Sequence, residues 1–271
     1  MLKCNVLKIQ TLASGSRGNA VYIASEKTHI LVDVGLNLHQ LKKRLETAKI
    51  NPNIIDAVLV THEHADHVLG LGAFLTKYNA MLYLHAATRP VFDYINADKV
   101  LTFDGSFQIG DITVDFFPVP HDSRFCFGYT FTCGKHKISL ATDLGRISDA
   151  IIERMNGSQI VMLECNHDIM KLQHNKRYPT VLKQRIMGSH GHLSNPSCAL
   201  AVYRLAKMGV GQVILAHLSG ENNSPALAYS FVRDFLGQRG VIEGRDIYID
   251  VAHQDTPSVL FHLDEENAAN D

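Results

Sequence analysis

Thr61-His62-Glu63-His64-Ala65-Asp66-His67 follows directly on the apolar run Ala57–Val60. The run reads as a buried strand. Where a strand ends the chain leaves the sheet, so successive side chains can converge on one point. His62 and His64 stand two apart and share a face on extended backbone. Asp66 and His67 fall where the next helix begins, turned to another side. Four potential ligands so arranged suit two neighbouring metals better than one. A lone histidine here would read as a solvated loop or cap residue; the spaced set after an apolar strand does not. Glu63, at the intervening position, should point away.

The chain has 271 residues, 46% hydrophobic and 20% charged. That is ample for a core without a disulfide or metal staple, and it is read as a single domain over 1–271 with a frayed tail at 265–271. Lys plus Arg is 26 and Asp plus Glu is 27, a net charge of -1, which excludes a basic nucleic-acid coat and an acidic disordered protein. Any anion site must be local. Histidine is in excess at 15, with no tryptophan. The 5 cysteines form no CxxC pair and read as buried apolar residues in a reducing cytoplasm. No signal peptide and no apolar run of membrane-helix length is evident, so no membrane contact is expected.

Short strands are predicted at Val6–Leu12, Ala20–Ala24 and His29–Val34, then a helix over Leu36–Ile50 stopped by Asn51-Pro52. A helix over Val68–Tyr78 follows the motif. Meander strands are expected at Phe107–Ile109, Ile112–Val119, Phe127–Thr132 and Lys137–Thr142. Next come a helix (Asp149–Met155), a strand (Ile160–Leu163) and a polar helical stretch to about Met187. A helix over Pro196–Met208 opens from Ser194-Asn195-Pro196. Strand Val213–Ala216, helix Pro225–Leu236, and strands Ile247–Val251 and Val259–Leu263 complete the chain. Strands then helices, twice, predict an α/β body with two sheets back to back and helices outside.

The motif resembles that of the metallo-β-lactamase superfamily, whose fold is a four-layer αββα sandwich with a two-metal site on one edge. Residues suited to its later ligands end further strands: His121 in FPVPHDS, Asp143 in SLATDLG and His217 in VILAHLSG. By that resemblance His62, His64 and His121 hold one metal, Asp66, His67 and His217 the other, and Asp143 bridges them, with Asp66 and Asp143 also counted as catalytic. Two dications less two carboxylates and a bridging hydroxide leave about +1, which attracts an anion without a basic surface. The donors suit zinc or manganese, with iron a further candidate. The implied chemistry is hydrolysis with the bridging hydroxide as nucleophile.

Three further stretches narrow the branch: Ser14-Gly15-Ser16-Arg17-Gly18-Asn19, Glu164-Cys165-Asn166-His167-Asp168, and Gly191-His192-Leu193-Ser194-Asn195. In combination they resemble the YycJ/WalJ group of metallo-β-lactamase-fold proteins, over nearly the whole chain. Members of that group are described as 5′→3′ DNA exonucleases linked to mismatch repair, related to RNase Z and the PhnP phosphodiesterases. The long arm by which RNase Z grips tRNA is not seen. The resemblance implies a phosphodiester hydrolase acting on DNA ends. The alternative is a small-molecule hydrolase, a cyclic phosphodiesterase or a thioesterase or lactonase, on the same metals. A non-catalytic binding protein is disfavoured by the complete ligand set. His192 is the candidate donor to the leaving oxygen or the phosphate, against a capping role. Ser14, Ser16 and Asn19 are the weaker substrate-side candidates, against a plain hairpin turn. Asp33, in LVDVG, is read as orienting a ligand histidine, against a helix N-cap role, and Asn166 and His167 as supports or wall. Lys171–Arg177, near Tyr178, reads as a solvated helix face sooner than as a nucleic-acid contact.

Overall fold

Both faces of the sheets are apolar, and this makes the layers. In the computed structural model, which describes residues 6–264, Ile30, Val32, Ala57 and Leu59 face the opposite sheet while Leu31 and Val58 face outward helices. Likewise Ile160, Met162 and Ile214 point inward, and Val161, Leu163, Val213 and Leu215 outward. Period-two alternation with burial on both sides requires a cover on each face.

The chain runs β1 (Val6–Ala13), β2 (Ala20–Ala24), β3 (His29–Val32), α1 (Leu38–Thr47), β4 (Ala57–Leu59), α2 (Ala65–Val68), α3 (Leu71–Lys77), β5 (Met81–His85), β6 (Val100–Phe103), β7 (Phe107–Ile109), β8 (Ile112–Pro118), β9 (Phe127–Cys133) and β10 (His136–Ala141). It continues through α4 (Asp149–Arg154), β11 (Ile160–Glu164), α5 (Ile169–His174), α6 (Thr180–Met187), α7 (Asn195–Lys207), β12 (Gln212–Ala216), α8 (Pro225–Gly237), β13 (Tyr248–Val251) and β14 (Phe261–Asp264). One sheet has the order β14-β1-β2-β3-β4-β5-β6 and the other β13-β12-β11-β10-β9-β8-β7. Helices α1 and α3 cover the first, and α4, α7 and α8 cover the second. The expected four-layer α/β sandwich is what the residues form.

β3, β4 and β5 run parallel, as do β10, β11, β12 and β13, so their carboxyl ends are gathered along one edge. Three local expectations are amended. The helix after the motif is two helices, α2 and α3, broken at Gly70. The polar stretch before Met187 is also two, α5 and α6, separated around Pro179. β5 and β6 lie where no strand was predicted. Cys126, Cys165 and Cys198 are free and buried, whereas Cys133 is disulfide-bonded, so not every thiol is an unpaired core residue. No helix among the described residues is long and apolar enough to cross a membrane. The predicted frayed tail, 265–271, lies outside the described residues.

Candidate metal centre

Each strand that ends on the gathered edge delivers one or more polar side chains. His62 and His64 follow β4, and His64, in extended conformation, is the N-cap of α2, which carries Asp66 and His67. Asp33 follows β3, His121 follows β8, Asp143 follows β10, Glu164 is the last residue of β11, and His217 follows β12. Asp33, Asp143 and His217 have left-handed backbone, with φ of 64, 59 and 54°. Non-glycine residues seldom adopt it, and the strain is characteristic of places where a side chain must be aimed.

The seven predicted ligands come together. His121 Nε2 lies 3.3 Å from His64 Nδ1. The ring centroids of His62 are 4.6 Å from those of His64 and 5.0 Å from those of His121. Asp66 Oδ2 is 3.6 Å from His67 Nε2 and 3.7 Å from His217 Nε2. Asp143 stands between the two groups, its Oδ2 3.3 Å from His67 Nε2 and its Oδ1 3.9 Å from His121 Nε2. Four overlapping sets, His62/His64/His121, His62/His67/Asp143, Asp66/His67/His217 and Asp143/Glu164/His192/His217, have donor atoms within 4.8 Å of one another.

The donor set fits divalent cations. His62 Nε2, His217 Nε2 and Asp143 Oδ2 are buried with no hydrogen-bond partner. A buried polar atom left so costs about 1–3 kcal/mol, and a cation supplies the missing partner. Burial, reinforced by neighbouring His67, holds His62 well below its ordinary pKa, and burial also lowers His121, so both keep a lone pair for a metal. Burial works against charge on Asp143, yet His217 and His67 hold its carboxyl well below the usual range.

Behind the donors, second partners fix which ring nitrogen faces the centre. His67 Nδ1 is 2.7 Å from Asp33 Oδ2, and Asp33 in turn accepts from the Thr61 N–H and hydroxyl. Asp33 therefore fixes the His67 ring from behind and leaves its Nε2 towards the cluster. His121 Nδ1 is 3.2 Å from the Gly191 carbonyl. Glu63 turns away and accepts the Arg124 N–H.

Glu164 is the residue that sequence reading passed over. It is wholly buried. Its Oε1 lies 2.8 Å from both His192 Nδ1 and His217 Nδ1, and its Oε2 accepts the Leu144 and Leu193 N–H groups. Burial opposes its ionisation, but His192 and His217 hold its pKa at about 2. His192 is raised in return: burial works against its charge and Glu164 outweighs it. The signal was present, since a carboxylate that ends the apolar run Ile160–Leu163 needs buried partners.

Among the substrate-side candidates, Ser14 turns to the scaffold, whereas the Asn19 side chain reaches the donor cluster itself. The Ser14 hydroxyl accepts the His217 N–H, and Asn19 accepts the Gly15 N–H and sets its amide 3.0 Å from His67 Nε2. Ser16 instead lines a cavity of about 200 Å³ beside the cluster, with Asn166, Tyr178, Arg185, His192 and Ser219. Asn166 donates to the His217 carbonyl. His167 is buried, which lowers its pKa to about 4, and its backbone bridges to Ser194, so it belongs to the wall.

Residues 28–218 match the family described as the beta-lactamase superfamily domain. The chain is 35% identical to exodeoxyribonuclease YycJ of Bacillus anthracis over 86% of this chain and 90% of that one. It is 33% identical to exodeoxyribonuclease WalJ of Streptococcus pneumoniae over 94% of this chain and 98% of that one. Among solved structures, the metallo-β-lactamase-fold protein YhfI of Bacillus subtilis superposes with a TM-score of 0.70 at 18% identity, covering 93% of this chain and 99% of that one. The fold, the convergent donor set and these relatives agree that the chain belongs to the metallo-β-lactamase superfamily of hydrolases, in its YycJ/WalJ group.

Proposed function

We propose that the protein is a metal-dependent phosphodiester hydrolase that removes nucleotides from DNA ends in the 5′→3′ direction. The observation that carries this reading is the small cavity joined to the donor cluster, with His192 between them. The cavity sets Ser16, Tyr178 and Arg185 beside His192, a hydroxyl, a ring and a cation suited to the phosphate and base of a nucleotide. The relatives named exodeoxyribonucleases support the same choice.

His62, His64 and His121 would hold one divalent ion, Asp66, His67 and His217 the second, with Asp143 between. Zinc or manganese suits these donors, iron being a further candidate. When bound, such a pair supplies a hydroxide nucleophile at neutral pH and offsets charge developing on the phosphoryl oxygens. The chain's own part is positioning and proton transfer. Glu164 holds His192 by Nδ1 and leaves Nε2 free to protonate the leaving oxygen. Ser16, at the cavity, is the substrate-side hydroxyl of this reading, while Ser14 and Asn19 serve the substrate by fixing the backbone and rings around it. A single domain, a cytoplasmic setting and a part in DNA repair belong to the same proposal.

The test is a metal-reconstituted assay on end-labelled DNA with 5′-phosphate and 5′-hydroxyl ends, beside a cyclic phosphodiester. Stepwise release from the 5′ end is expected, and Asp143→Ala should lose metal and activity together. Cleavage of the small ester alone, or full activity in well-folded Asp143→Ala protein, overturns the reading.

A further inference from the structure

Between Asp168 and Glu221 the chain contains no Asp or Glu, although it carries 27 acidic against 26 basic residues overall. The acid-free stretch holds α5 and α6, which lie beside the metal centre. Lys171, Lys176, Arg177, Lys183 and Arg185 stand on these two helices and the turn between them. Arg177 is paired with Glu221 and Arg185 with Asp122. Lys171, Lys176 and Lys183 have no ion pair with a carboxylate among the described residues. Apolar side chains are exposed among them: Met170 is 59% and Val181 76% accessible. On the inner side of the same segment, Tyr178 and Arg185 reach the cavity that His192 lines.

We propose that the α5–α6 surface is a grip for a single strand of nucleic acid leading into the metal centre. The inference rests on the phosphodiester reading above and says where the strand lies. Lys171, Lys176 and Lys183, which lack a carboxylate partner although Lys183 Nζ donates to the Gln173 carbonyl, face the phosphates, while Met170 and Val181 pack against splayed bases and Tyr178 offers a ring to the terminal base. Grooves for single strands join positive charge to such stacking surfaces. A duplex hides its bases and would leave the exposed methionine and valine without a role. A net charge of -1 is compatible with such a grip, since the basic side chains are segregated into an acid-free stretch.

The experiment compares the metal-loaded parent with the Lys171→Gln/Lys176→Gln/Lys183→Gln variant. KM is measured for a 5′-labelled single-stranded oligonucleotide between 50 and 200 mM KCl, beside turnover of bis(p-nitrophenyl) phosphate. Each phosphate contact on a single strand contributes about 0.7 to the logarithmic salt slope, so three lost contacts flatten it by about 2. Over that fourfold salt range the parent's KM should rise roughly 20-fold more than the variant's, with diester turnover unchanged. Val181→Asp, at a solvent-facing site, places a negative charge in the grip and should raise KM for the oligonucleotide alone. Unchanged slope and KM in a parent that digests the oligonucleotide overturn the grip and leave the phosphodiester reading standing. Equal loss on both substrates in both variants also counts against the grip. A parent that hydrolyses only the small diester overturns both.

Discussion

Glu164 shows how much of this site depends on a single carboxylate. One oxygen receives two histidines and the other receives two backbone N–H groups, so all its acceptor capacity is committed. Glu164→Gln keeps the shape but turns part of the acceptor into a donor facing His192 and His217. Loss of such an outer partner typically costs 10–100-fold in metal affinity or activity, and that range is expected here, read by metal analysis and kcat together. His192→Ala should keep its metal and lose kcat by roughly 100- to 10,000-fold. A Glu164→Gln protein with parental kcat and metal content would remove the residue from the machinery. Motif reading found His62, His64, Asp66 and His67 because they are neighbours in the chain. It could quote Glu164 without giving it work, because both of its histidine partners lie more than 25 residues away.

Among the elements, the loop after β3 and helix α2 are pressed together more closely than any side chain permits. A Cβ on Gly35 would stand 1.7 Å from the Asp66 carbonyl oxygen, a backbone atom that cannot swing aside. Gly35→Ala should therefore displace the turn carrying Asp66 and His67. Overpacking of this kind costs roughly 1–3 kcal/mol, and here metal stoichiometry should fall with the melting temperature. Gly72→Ala, within α3, meets nothing nearer than 3.8 Å and is the control. It should melt at or slightly above the parent, since alanine is favoured over glycine in a helix by about 1 kcal/mol. Equal melting temperatures and full metal content in Gly35→Ala would show that the loops can part freely. Elements with caps or clean alternation, such as α7 with Ser194 and Pro196 at its start, were legible in the chain. β5 was not, because a five-residue apolar run after a helix has no period that separates strand from helix. β6 is an edge strand with Leu101 and Thr102 exposed, so it lacks the burial pattern that marks a strand.

At the scale of the molecule, the centre joins the two sheets. One sheet delivers His62, His64, Asp66 and His67, and the other His121, Asp143 and His217. Ions bound between them would brace the open edge of the sandwich as well as serve the reaction. Anything that binds the native state alone stabilises it, by about 2.7 kcal/mol at 100 times its dissociation constant. Chelation should thus lower the melting temperature, and hydrogen exchange should quicken first at residues 61–67, 143–145 and 217–219. An unchanged melting temperature after complete metal removal would show that the sheets alone hold the edge. The local chemistry is legible in the chain alone: an apolar strand running into spaced histidines, two halves of strands and helices, and a net charge near zero. Those properties are written in near neighbours and in composition. Only the packed fold shows that Glu164 serves two histidines, that Ser14 faces the scaffold, Asn19 the donor cluster and Ser16 the cavity, and that an acid-free stretch borders the site. Each of these depends on which strand ends meet across the sandwich, and that is set by the packing of two sheets whose contacts lie far apart in the chain.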